Sequence, residues 1–177
     1  GTTTWSGGGS GGGVKILTDS ISGLGAIKAN GGTGAGNSGG GGGGRIALEY
    51  RSVVIDPFVA MEAKGGAGRV DGGVGSVFTK NGDGVPVIVI RSEGRESPLP
   101  EGLSGEEVII DGAVVAGGVV NLTSLTLING AVLTHPGADG GSESRLEITV
   151  GRLTIDETSR IDVSARGYLG ALRGDNA

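Results

Sequence analysis

The sequence predicts an all-β fold, a right-handed parallel β-helix with glycine-rich corners and loops, and three observations carry that expectation. The first is a recurring line of residues: an apolar position, five spacers, a second apolar position, then glycine and other small residues. It runs from Ile21 to Ile27 and on to Gly31-Gly32, and from Ile55 to Met61 and on to Gly65-Gly66. Weaker copies run from Leu127 to Leu133 and from Ile155 to Ile161. The copies begin 34, 72 and 28 residues apart, and repeats of that length are the mark of solenoids, whose units bury their apolar faces only by stacking. The second observation is strand-like alternation in short runs, with no long window of helical spacing. The third is glycine, 41 of the 177 residues. At that density helices are penalised, and sharp corners become easy.

The whole chain, 1–177, reads as a single β-helix segment of roughly five to seven coils, expected to belong to a longer repeat protein. Residues 1–13 are a Gly/Ser/Thr lead-in in which Trp5 is the one large side chain. Strand-like runs follow at 14–18, 25–29, 45–50, 59–63 and 76–80, with further Val/Ile-rich stretches at 85–90 and 108–110. Residues 92–106, with Pro98, Pro100 and several glutamates, read as a loop excursion. Loops of that length are often functional.

Aligning the copies sets a register. Ile21 is expected on Ile55, Ile27 on Met61, Leu127 on Ile155 and Leu133 on Ile161, all facing inward. Lys28 is expected beside Glu62 on the outside, an opposite-charge pair worth about 0.2–1 kcal/mol. A shift of 100 also places Arg45-Ile-Ala-Leu48 on Arg145-Leu-Glu-Ile148. Gly31-Gly32 over Gly65-Gly66 is expected at a corner that needs positive φ. The six glycines 39–44 exceed what a corner needs.

Composition narrows the function classes. No cysteine is present, so neither disulfides nor thiolate metal sites hold the fold. The net charge of −5, with both signs interspersed, offers no footprint for nucleic acid. No apolar stretch is long enough to cross a membrane, and the segment carries no signal peptide.

The motifs resolve into architecture. Residues 34–39 fit GxGxxG, but more glycine follows where a dinucleotide site needs a helix. Residues 65–71 approximate the calcium nonapeptide GGxGxD with Asp71 one position late. Asn81-Gly-Asp83-Gly could offer oxygen ligands to calcium, and reads more simply as a turn. An enzyme reading would use outer-face carboxylates: Asp156, Arg160 and Asp162, with Asp56 and Glu62 at equivalent points. Glycosidases need such a pair at fixed separation, yet a sugar cleft also wants aromatics, and only Trp5, Tyr50, Phe58, Phe78 and Tyr168 are present. His135 stands alone beside Pro136 and reads as a turn residue. Arg173-Gly-Asp175 spells an integrin tripeptide and Asn121-Leu-Thr123 a glycosylation sequon, both within reach of chance. Thr126 and Thr154 align as an outward pair, but Val54 and Ser20 interrupt any threonine ladder of the ice-binding kind.

The stretches 7–16, 21–32 and 42–48 resemble glycine-rich parallel β-helix repeat regions of very large secreted or surface, adhesin-like bacterial proteins. Residues 125–135 and 160–170 resemble other segments of that repeat. The resemblance implies export to the extracellular space or cell surface and a stalk or display role, and it carries over no catalytic or ligand residue. The expectation is therefore a structural module without catalysis. No catalytic, cofactor or metal residue is assigned, and calcium is the only cofactor considered. Expected partners are neighbouring repeats or subunits stacked end to end, with surface glycans as a second class. The alternative is a carbohydrate-binding or polysaccharide-cleaving β-helix.

Overall fold

The alternating runs do form strands, and the places where the chain reverses decide how those strands assemble. A computed structural model describes residues 5–53, 60–92, 96–138 and 144–167. Among them are thirteen strands and no helix. The strands are β1 (Gly13–Ile21), β2 (Ala26–Lys28), β3 (Arg45–Val53), β4 (Ala60–Glu62), β5 (Ser76–Asn81), β6 (Val87–Arg91) and β7 (Glu96–Pro98). They continue with β8 (Glu107–Asp111), β9 (Val114–Ala116), β10 (Val119–Ile128), β11 (Val132–Thr134), β12 (Glu147–Ile155) and β13 (Arg160–Ile161).

The strands form three sheets: seven strands in the order β1-β3-β5-β6-β8-β10-β12, four in the order β13-β11-β9-β7, and the pair β2-β4. The all-β class is what the alternation predicts. A closed right-handed parallel β-helix is not what the structure shows. The largest sheet is mixed, because β5 and β6 pair antiparallel while its other neighbours are parallel. The cause is local: Asn81-Gly-Asp83-Gly makes a tight turn, with Gly82 at φ 49° and the Gly84 amide donating to the Asn81 carbonyl. A turn that reverses the chain breaks the one-way winding that a β-helix requires.

The reversal also moves the core to the other side of the sheet. Residues directly opposite one another on paired strands project from the same face. Ile46 pairs with Val77, and Val77 with Val89. Ala47 pairs with Phe78, and Phe78 with Ile88. Before the turn the buried residues are Ile46 and Leu48, on the Val77 face. After it they are Ile88 and Ile90, on the Phe78 face. From there two columns run through β8 and β10, Ile88-Val108-Leu125 and Ile90-Ile110-Leu127. They pack with Ala113, Val115, Ala131 and Leu133 of the four-stranded sheet and its connections. Burying each such aliphatic side chain stabilises by about 1.5–3 kcal/mol.

Several register expectations hold within each half. Ile27 pairs with Met61, Lys28 with Glu62, Leu127 with Ile155, and Leu133 with Ile161. Ile21 instead faces Val53, and Ile55 lies outside the described residues. Ile155 and Ile161 are on the outermost strands and stay exposed, so these columns do not end inside. The stretch 92–106 is not wholly a loop either, since it contains β7, paired with β9.

The glycine runs are not corners. None of Gly31, Gly32, Gly65, Gly66 or Gly39 to Gly44 has positive φ. These segments lie side by side and hydrogen-bond at every third residue. Gly8 and Gly11 donate to the carbonyls of Gly39 and Gly42, Gly40 and Gly43 to those of Val70 and Gly73, and Gly41 and Gly44 to those of Gly32 and Ala29. A three-residue period is that of a polyproline II helix, which has no internal hydrogen bonds and so satisfies its backbone through neighbours. The run 39–44 is therefore the middle member of a polyglycine bundle, with a neighbour on each of its three faces. That also draws residues 7–12 of the lead-in into the fold.

Candidate functional site

The free edge of β4 and the β5–β6 hairpin bound a cavity of about 360 Å³. It exists because β2 and β4 cover only the first part of the Val77 face. Its apolar lining includes Met61, Ala63, Val77 and Val89, and its charged lining is Glu62, Lys64 and Arg91.

Each of the three charged groups already has a partner. Glu62 sits 3.3 Å from Lys28 Nζ and 3.6 Å from Lys64 Nζ, and accepts a hydrogen bond from Asn30 Nδ2 at 3.2 Å. The Asn30 and Lys28 hydrogen bonds hold its carboxyl below the usual glutamate range. Arg91 Nε donates to Asp111 Oδ2 at 2.6 Å, and Asn129 Nδ2 donates to the other oxygen at 2.7 Å. Burial raises the Asp111 carboxyl, but the Asn129 and Arg91 hydrogen bonds outweigh it and the net shift is downward.

From Asn129, whose φ of 58° is rare outside glycine, the polar chain continues to β12. Its backbone amide donates to Asp156 Oδ2 at 2.7 Å, and Asp156 Oδ1 accepts from both the amide and the hydroxyl of Thr158. Hydrogen bonds led by that from Ser159, followed by the Asn129 amide, hold Asp156 far below the usual aspartate range. The chain Arg91-Asp111-Asn129-Asp156 was not found by spacing, because the hairpin shortens the Arg91–Asp111 separation to 20 residues. The other copies are 28 to 34 apart.

The carboxylates of the enzyme reading are not gathered at one point. Asp162 pairs with Arg160 at 3.3 Å and accepts from the Ser164 amide, which leads the effects lowering its pKa. Asp156 is built into the turn after β12, Glu62 lines the cavity with β4, and Asp56 lies outside the described residues. Carboxylates held low by fixed donors are poor general acids near neutral pH.

The remaining motifs fall into turns and strands. Residues 34–39 lie in the polyglycine region with Gly36 at φ 62° and no helix after them. Asp71 accepts from the Gly68 amide within its own loop. His135 is buried, and its Nδ1 is 2.7 Å from the Pro136 carbonyl. Asn121 is on β10. Thr126 pairs with Thr154 but also with Ile109, so the threonine column stops there. Arg173-Gly-Asp175 lies outside the described residues. Among the described residues no three His, Cys, Asp or Glu side chains converge as metal ligands. Compared with protein-family models, curated proteins and solved structures, the chain matches none.

Proposed function

We propose that this chain is a structural and display module of an extracellular or cell-surface, adhesin-like protein, and that it performs no catalysis. The observation carrying this reading is how the charged side chains are committed. Lys15–Glu49, Lys28–Glu62, Asp19–Arg51 and Arg91–Asp111 join neighbouring strands at 2.6 to 3.3 Å. Charges arranged this way order a surface and leave few groups free to attack or protonate a substrate. The exposed Leu153, Ile155 and Ile161 on β12 and β13 support a neighbouring repeat or subunit at that edge. The polysaccharide-cleaving alternative needs the very carboxylates that these pairs hold.

The test is a depolymerisation screen against acidic and neutral polysaccharides, with and without calcium, using the chain and its Glu62→Ala and Asp162→Ala variants. No product from any of the three is expected. Depolymerisation by the parent chain that disappears in either variant overturns the reading.

A further inference from the structure

Three Asn–Gly dipeptides occur in the chain, Asn30-Gly31, Asn81-Gly82 and Asn129-Gly130, and the fold treats them differently. At such a pair the deprotonated glycine nitrogen can attack the asparagine Cγ. The new C–N bond closes a succinimide and expels ammonia. Water then opens either carbonyl, leaving aspartate or isoaspartate. The net change is amide plus water to carboxylic acid plus ammonia. The attack requires the side-chain amide to turn onto the following nitrogen.

At Asn30 and Asn129 that turn is blocked. Asn30 donates to Glu62 Oε2 at 3.2 Å and accepts from the Lys64 amide at 2.8 Å, while the Gly31 amide is bound to the Lys64 carbonyl. Asn129 donates to Asp111 Oδ1 at 2.7 Å, and the Gly130 amide to Thr158 Oγ1 at 2.8 Å. Asn81 is exposed, and its side chain makes no hydrogen bond among the described residues. Only the Gly82 amide is held, by the Tyr50 carbonyl at 2.7 Å.

We infer that Asn81 is this protein's site of spontaneous deamidation and isoaspartate formation, with Asn30 and Asn129 protected by the fold. The position gives the reaction a consequence. Asn81 begins the turn that reverses the chain between β5 and β6, and its carbonyl accepts the Gly84 amide at 2.8 Å. Isoaspartate lengthens the backbone at that point, and either product adds a negative charge beside Asp83. The modification therefore ages the molecule at the joint between its two buried faces.

The experiment incubates the folded chain at mildly alkaline pH and follows each Asn–Gly peptide by mass spectrometry, with isoaspartate identified by its separate elution. The same chain in denaturant is the control, because there all three dipeptides are equally free. Asn81 is expected to react about tenfold or more faster than Asn30 and Asn129 in the folded chain, a difference of about 1.4 kcal/mol. In denaturant the three rates should converge. Glu62→Ala should speed Asn30 and leave Asn81 unchanged. Comparable rates at all three sites in the folded chain overturn the inference. So does an unreactive Asn81, or an Asn30 rate indifferent to Glu62→Ala.

Discussion

Asp156 has an ordinary aspartate's chemistry in an unfolded chain and a different one in the fold. Donors from Ser159, Asn129 and Thr158 favour its charged form, and Glu62, Asp111 and Asp162 are shifted the same way. Their ordinary values are 3.8 for aspartate and 4.5 for glutamate. Below those values the unfolded chain takes up protons that the folded chain still refuses, so the unfolded state binds more protons and stability falls as pH falls. Above about pH 5 the contribution is fully present and stability should be flat on account of these groups. Thermal midpoints measured from pH 7 to pH 3 should hold steady and then drop. In Asp156→Asn the drop should be shallower, because one proton-linked group is gone. An unchanged slope would mean that its hydrogen bonds do not persist in solution.

The polyglycine bundle makes a sharper prediction at the scale of the element, since neighbouring glycines in one run should behave oppositely. A Cβ on Gly41 would sit well inside contact distance of the Gly9 carbonyl oxygen, and one on Gly44 would meet the Gly12 carbonyl oxygen in the same way. At Gly39 and Gly42 the nearest atoms to an added Cβ are 3.5 and 3.8 Å away, ordinary contact. Gly41→Ala should therefore destabilise by about 1–3 kcal/mol or more, as overpacking does. Gly42→Ala should be neutral or gain up to about 1 kcal/mol by restricting the unfolded chain. Chemical denaturation of the two variants decides it, and equal effects would dissolve the bundle. The role of the run 39–44 was not legible in the sequence, because its partners near residues 8, 32 and 70 carry no side-chain pattern to align. By contrast Ile27 on Met61 and Leu127 on Ile155 were legible, since each pair lies within one half where the spacing of the copies is undisturbed. Arg91 beside Asp111 escaped notice because the intervening chain is shorter than any repeat.

For the whole molecule the decisive residues are Asn81-Gly-Asp83-Gly, readable as a turn but not as a change of direction. Once β6 runs against β5, the alternation that buried Ile46 and Leu48 on one face buries Ile88 and Ile90 on the other. A single-register reading cannot follow that switch, because the parity of the inward positions changes at the turn. Two buried faces joined by one hairpin should behave as two units that open separately. Ile46→Ala and Leu127→Ala each remove a fully buried aliphatic side chain, at a cost of about 2–5 kcal/mol. The sites share no strand pair, so the double variant should equal the sum of the singles within about 0.5 kcal/mol. Native-state hydrogen exchange should separate them further. Ile46→Ala should loosen the amides of β1 and β3 while Val108 to Ile110 stay protected, and Leu127→Ala should do the reverse. Uniform loss of protection across the seven-stranded sheet in both variants would show one cooperative core, and the hairpin would then be a detail of connection and not the boundary between two packed halves.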